Sequence, residues 1–271
     1  MPTQVYPISN FQLALSVILI VLAGTVSALL KLGLLKSLLW GTFRSFVQLL
    51  LMGYVLVWVF SIDSPYMVGA IVLLMCYFGA RTAVKRTPNV TDYPTGLAYL
   101  SLTASTFLVT FIVTYLVIAA DKWYTAWIVI PIAGMVLGNS MNGIALGLDR
   151  LYSEVRSHSG EIETLLSLGA TPWEAVRPRL KEALRAGMTP SINSLMVVGL
   201  VFLPGMMTGQ ILGGVDPLTA VRYQIVVMLM VTAAATIGSL MLVILSYRRL
   251  FNQDEALKPE ILSKQSEGKA L

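Results

Sequence analysis

The chain has 271 residues, of which 56% are hydrophobic and only 12% are charged, with a formal net charge of +5. Ordinary soluble domains carry about 25% charged residues, so this composition excludes a soluble fold, which would lack the charge to cover its surface. The Lys and Arg residues fall between apolar blocks and form no basic face on a soluble module, which argues against nucleic-acid binding.

The apolar blocks reach the roughly 18 residues that span a bilayer core as a helix. Seven spans are predicted: Phe11–Leu30, Leu38–Phe60, Tyr66–Ala83, Gly96–Ala120, Trp123–Leu148, a sixth that begins near Met188 and breaks at Pro204-Gly205, and Gln224–Tyr247. Lipid cannot satisfy exposed backbone groups, and the alternation of a membrane barrel is absent, so the spans are helices. The expected fold is an all-α integral membrane protein with its N-terminus outside and its C-terminus inside. Residues 1–250 form one transmembrane domain, residues 149–187 an inner loop, and residues 251–271 a polar tail. Residues 1–10 contain no Lys or Arg, so the first block reads as a retained span rather than a cleaved leader.

Orientation follows from the positive charges, which favour the cytoplasmic side. With the N-terminus outside, Lys31, Lys36, Arg81, Lys85, Arg86, Arg150, Arg156 and the Arg and Lys residues beyond them fall inside. Only Lys122 and Arg222 remain outside. Arg44, near the inner end of the second span, reaches the same side by snorkelling. The acids lie outside the spans, with Asp63, Asp121 and Asp216 in outer loops and the rest inner. Ion-driven pumps commonly use intramembrane carboxylates, so the energy source is expected to lie outside this chain. Cys76, the one cysteine, reads as a small buried apolar residue. His158, the one histidine, reads as a surface residue of the inner loop.

Inside the membrane three polar groups are candidates for a substrate path. Arg44 and Gln48 are four apart and share a helical face. Asn139 and Asn142 place two amides in one turn, beside Gly134 and Gly138, whose spacing suits close helix packing. Pro204, Gly205, Met206, Met207 and Gln210 mark a broken helix, which membrane proteins tolerate where backbone lines a cavity or is buried in protein. The bland alternatives are a snorkelling arginine, adaptable methionine packing and a helix that ends at the outer interface.

The inner loop has readable helix grammar. A short amphipathic stretch, Glu161–Leu168, ends at Gly169. Thr171 then suits an N-cap, Pro172 the first helical position and Glu174 a capping box, while Pro178 is placed to kink this second helix. The run Glu163-Thr-Leu-Leu-Ser-Leu-Gly169-Ala-Thr-Pro-Trp-Glu-Ala175 resembles the coupling loop of ABC permeases, which reads Glu-Ala-Ala, three residues, Gly. Glu163 and Gly169 match. The pattern's later Ile-x-Leu-Pro is absent, and Arg179-Leu-Lys-Glu182 stands there.

Longer stretches resemble one family. They are Arg44–Leu56 (RSFVQLLLMGYVL), Ile130–Met141 (IPIAGMVLGNSM), Leu166–Pro172, Val198–Gly209 (VGLVFLPGMMTG), Gly214–Pro217 and Tyr223–Ile225. In this order they are similar to the FetB/YbbM-type permeases, whose plant relatives include aluminium-tolerance proteins. The resemblance implies a permease subunit, iron export driven by a separate ATPase, and protection against oxidative stress. It implies that Glu161, Glu163, Gly169, Thr171, Pro172, Trp173 and Glu174 dock on that ATPase. The chain lacks the Gly-x-x-x-x-Gly-Lys-Ser/Thr run that cradles nucleotide phosphates, so ATP and Mg are expected on the partner and no cofactor here. The expected assembly is a permease homodimer with ATP-binding subunits in the cell membrane. A self-contained secondary transporter or a small-solute channel is the alternative.

Overall fold

A computed structural model describes residues 9–61, 64–87, 90 and 94–258. The tail beyond residue 258 and the loop acids Asp63 and Asp92 lie outside the described residues. Ten α-helices are described: α1 Asn10–Leu15, α2 Val17–Leu29, α3 Leu35–Phe60, α4 Pro65–Lys85, α5 Thr95–Phe111, α6 Ala126–Ser157, α7 Ser159–Ser167, α8 Pro172–Val197, α9 Gly205–Leu212 and α10 Pro217–Tyr247. Helix α5 loosens into a π-turn at Ile112–Val117, and α10 ends in a 3-10 turn at Arg248–Leu250.

Six helical stretches are long and apolar enough to cross a membrane: α1–α2 together, α3, α4, α5 with its π-turn, α6 and α10. The predicted sixth span is not among them, and the reason is charge. Its helix begins 16 residues earlier than expected, at Pro172 rather than Met188, and its N-terminal part carries Glu174, Arg177, Arg179, Lys181, Glu182 and Arg185. Helix α8 runs unbroken through Pro178 and Pro190. Both prolines are exposed, and the carbonyls they leave without a helical donor are those of Glu174 and Ala186.

Two expected boundaries are corrected. The fifth span does not stop at Leu148, because α6 continues to Ser157; its 32 residues span about 48 Å at 1.5 Å per residue. The expected loop 149–187 is therefore the end of α6, the short helix α7 and the start of α8. The break in the sixth crossing does not begin at Pro204-Gly205. Helix α8 ends at Val197, Gly199 turns the chain at φ +81°, and Pro204 is the N-cap of α9.

The core of the bundle is α4, α5, α6, α8 and α10, with α6 central. Small residues draw these helices together, as is usual where lipid supplies no hydrophobic drive. A Cβ added to Gly143 of α6 would stand 2.8 Å from the Gly187 carbonyl of α8, and one on Gly187 would stand 2.8 Å from the Gly143 carbonyl. One turn on, Gly147 faces Ala183 and Val243. Residue numbers rise on α6 as they fall on α8, so the two are antiparallel, while α10 runs parallel to α6. Helix α8, the turn and α9 therefore carry the chain between opposite ends of the bundle as one interrupted crossing. Buried hydroxyls, Ser101, Ser105 and Thr106 on α5, Ser140 on α6 and Ser239 on α10, occupy the same interior.

Gly134 and Gly138, the pair expected to pack, make no close backbone approach within the described residues of this chain. A Cβ on Gly138 would meet nothing within 4 Å, and one on Gly134 only the tip of Met75. The N-terminal hairpin is peripheral: 11% of the α1–α2 span and 6% of α3 are buried against the rest of the chain. Val59 is the buried residue of α3, and it joins the main core near the start of α4 and α6.

Candidate functional site

The interrupted crossing leaves a cavity of about 440 Å³ between α6, α8, the turn and α10. Asn139 and Asn142 reach it from α6, Ser191 and Ser194 from α8, Pro204 and Met206 from the turn and α9, and Gln224 and Thr232 from α10. Helical spacing explains the α6 contribution. Met135, Asn139 and Asn142 recur at four and three residues, while the opposite face, Val136, Leu137, Ser140 and Ile144, is buried in the bundle. A second cavity of about 360 Å³ adjoins the first and shares Met135, Met206 and Val227 with it. Trp127, Gln210 and Tyr223 line this second cavity.

Most of the residues predicted to form a path are thus gathered, but three are not. Met207 is buried on the other side of α9 and lines a third, apolar cavity with Leu195, Val198 and Leu229, which meets the first at Pro204, Gln224 and Met228. Consecutive helical residues point about 100° apart, and here Met206 and Met207 line different cavities. Arg44 and Gln48 are exposed on the peripheral α3 and line neither cavity.

Four polar lining residues, Ser191, Ser194, Gln224 and Thr232, escaped the sequence reading. Ser194 and Thr232 look like ordinary membrane-helix hydroxyls. Gln224 left a usable signal, since a lone amide in a span of mean hydropathy 2.3 is costly without a purpose. It is 5% exposed, and its Oε1 has no hydrogen-bond partner. Arg86, expected only as an inner-loop charge, donates from Nη1 to Asn142 Oδ1 at 3.4 Å.

The hairpin at the other end of α6 and α8 follows its sequence grammar closely. Gly169 sits at φ +93°. The Ala170 N–H donates to the Leu165 carbonyl and the Gly169 N–H to the Leu166 carbonyl, both at 3.0 Å, which is the Schellman closure of a helix end. Thr171 Oγ1 then accepts from the Glu174 N–H at 3.3 Å, and Glu174 Oε2 accepts from the Thr171 N–H at 2.9 Å. The bonds from Thr171, backbone first and hydroxyl second, hold the Glu174 carboxyl below the usual glutamate range. Pro172 opens α8, and Trp173 meets Tyr247 edge-on at 5.3 Å between ring centroids.

Arg179 ties the hairpin together. Its Nη2 is 2.7 Å from Glu161 Oε2 on α7, and its Nη1 is 3.8 Å from Glu154 Oε2 on α6. Arg150 and His158 flank the same Glu154 carboxylate. Glu163, Leu168 and Gly169 remain exposed at the hairpin tip.

A family model, described as an uncharacterised protein family (UPF0014), matches residues 10–251. A UPF0014 membrane protein of Synechocystis is 39% identical over 239 residues, covering 87% of this chain and 92% of the relative. The protein named "Probable iron export permease protein FetB" of Escherichia coli is 36% identical over 251 residues, covering 92% and 95%. Protein ALUMINUM SENSITIVE 3 of Arabidopsis thaliana is 33% identical over 252 residues, covering 92% and 90%. No solved structure matches the chain. With a family match across almost its whole length and six helices fit to cross a bilayer, the chain belongs to the UPF0014 family and is a multi-pass membrane protein.

Proposed function

We propose that this chain is the membrane-spanning permease subunit of an ABC transporter that exports iron, or another metal or metal complex, with ATP and Mg bound and hydrolysed on a separate ATP-binding subunit. The observation that carries the reading is the pairing of two sites on the same two helices. Helices α6 and α8 line the cavity at one level and hold the α7 hairpin at their far ends. The name of the Escherichia coli relative supports iron as cargo. In this reading the N-terminus is outside and the C-terminus inside, two copies of the chain form the permease, and the cell gains resistance to oxidative stress.

The hairpin is the dock. Gly169 and the tip residues Glu163 and Leu168 enter a groove on the ATPase, while Arg179, Glu154 and Glu161 keep the hairpin rigid enough to push on α6 and α8. The cavity lined by Asn139, Asn142, Pro204 and Met206 is the path, with Gln210 in the adjoining chamber. The test is co-purification of the full chain with a candidate ATP-binding subunit, followed by metal efflux from proteoliposomes holding both. The expected result is efflux that requires ATP and the partner. Efflux that persists with no ATPase present overturns the reading in favour of a secondary transporter.

A further inference from the structure

The turn between α8 and α9 lies within the membrane-spanning part of the bundle. Gly143 of α6 and Gly187 of α8 face one another, with Ser239 of α10 beside them. From that level α8 continues about 15 Å to Val197 at 1.5 Å per residue, while α6 extends roughly 26 Å to Ala126 and α10 roughly 33 Å to Pro217. Residues 198–203 therefore sit roughly 10 Å short of the end of α6. Their backbone is not self-sufficient. The Gly199 N–H donates to the Phe202 carbonyl and the Val201 N–H to the Val197 carbonyl, both at 3.0 Å. Among the described residues, the Leu203 N–H and the carbonyls of Gly199, Leu200, Val201 and Leu203 have no backbone partner. The side chains around them are uncovered: Leu200 is 89% exposed, Val201 78% and Met196 72%. Lipid would suit those side chains but cannot pair the backbone. Water would pair the backbone but leave the side chains wet. A protein surface satisfies both.

We propose that this turn is the seam between two copies of the chain, with Leu200 of each copy seated in an apolar hollow of its mate. The hollow is the third cavity, about 340 Å³, lined by Val198 and Leu203 of the turn and by Val221, Ile225 and Leu229 of α10. Ile225 and Leu229 are 55% and 59% exposed, so the hollow opens to the outside of the chain. A projecting side chain and a hollow on one surface are the two halves of an isologous contact, in which a twofold rotation brings each against the other's counterpart. The backbone is self-complementary in the same way, because the free Leu203 N–H of one copy has free carbonyls to meet on the other. A soluble ATP-binding subunit does not reach this depth, so a membrane-embedded partner is required, and a second copy supplies both halves of the contact. Phe202 and Pro204 of the same turn line the first cavity, so each copy's cavity borders the seam. The inference rests on the proposed two-copy permease and adds which face joins the copies.

Cysteine pairs test the seam in membranes that hold the full chain. The native thiol, Cys76, is buried and is first replaced by alanine. A copy carrying Leu200→Cys and a differently tagged copy carrying Leu229→Cys are co-expressed and oxidised with copper phenanthroline, and Ile225→Cys takes the place of Leu229→Cys in a second pairing. A mixed-tag disulfide dimer is expected with at least one of these α10 cysteines. Leu49→Cys on α3, where Leu49 is 73% exposed, should give at most a minor yield with Leu200→Cys. Leu200→Ala supplies a second readout. It should raise the dimer dissociation constant in liposomes roughly tenfold, the scale of one well-seated interface side chain. Melting of single copies in detergent should not change, since an 89% exposed side chain meets little of its own chain. Equal yields with Leu49→Cys, no disulfide with either α10 cysteine, or an unchanged dissociation constant for Leu200→Ala overturns the seam. Subunit counting in liposomes separates this from the wider reading. Dimers without these cross-links refute the seam and leave the two-copy permease joined on another face, whereas single copies that export metal with the ATPase remove both.

Discussion

The glycine contact between α6 and α8 gives a sharp test of the packing. Substituting Gly143 by alanine places a methyl 2.8 Å from the Gly187 carbonyl and 3.0 Å from Ser239 Oγ. Carbon–oxygen contacts of this kind settle near 3.3–3.6 Å, so α6 and α8 must part by roughly 0.5 Å. Such a gap forfeits about a quarter of the dispersion attraction at the neighbouring contacts, and overpacking of this type costs ~1–3 kcal/mol. Against that, alanine is better than glycine in a helix by ~1 kcal/mol. The net expectation is a loss of about 0–2 kcal/mol for Gly143→Ala and for Gly187→Ala. The two methyls would push on the same pair of backbones, so the double variant should lose less than the sum of the single losses. Gly138→Ala, which meets nothing within 4 Å, should gain up to about 1 kcal/mol. Thermal unfolding of the detergent-solubilised protein, followed by size-exclusion retention, checks all four. The reasoning fails if Gly143→Ala melts above the unchanged protein, or if Gly138→Ala costs as much.

The other expectations are simpler. Gly169→Val forces a β-branched residue to φ +93° and should weaken association with the ATPase while the chain stays folded in the membrane; normal assembly and coupled efflux would sink the docking role. Glu174 has a lowered carboxyl pKa, so its contribution is complete above its ordinary unfolded value and is lost as pH falls through the lower folded one. Protection of the amides of residues 171 and 173–175, taken relative to their intrinsic exchange rates, should therefore fall only in acid below the usual glutamate range, and Glu174→Gln should remove that response; an unchanged acid response in the variant refutes the assignment. Reporter fusions at Ser61 and after residue 258 should report opposite sides of the membrane, and a shared side would overturn the N-out, C-in orientation.

The membrane class of the protein, its helical character and the position of nearly every span were determined by the sequence alone. Long apolar blocks have one stable solution in lipid, because a helix satisfies its own backbone. The hairpin was equally legible, since Thr171, Pro172, Glu174 and Gly169 act on groups within a few residues of themselves. The tertiary structure decided the rest. Sequence spacing nominated Gly134 and Gly138, yet Gly143, Gly147 and Gly187 make the contact; spacing of four residues says only that a helix has a small face, not which neighbour meets it. Pro204 and Gly205 marked the interrupted helix, but the turn begins after Val197, where Gly199 adopts a positive φ. Met206 and Met207 were one motif in sequence and two walls in space. Gln224 entered the cavity only because α10 lies beside the broken crossing. Each of these depended on how one helix face is rotated and set in depth against another, and that is fixed by contacts between residues far apart in the chain.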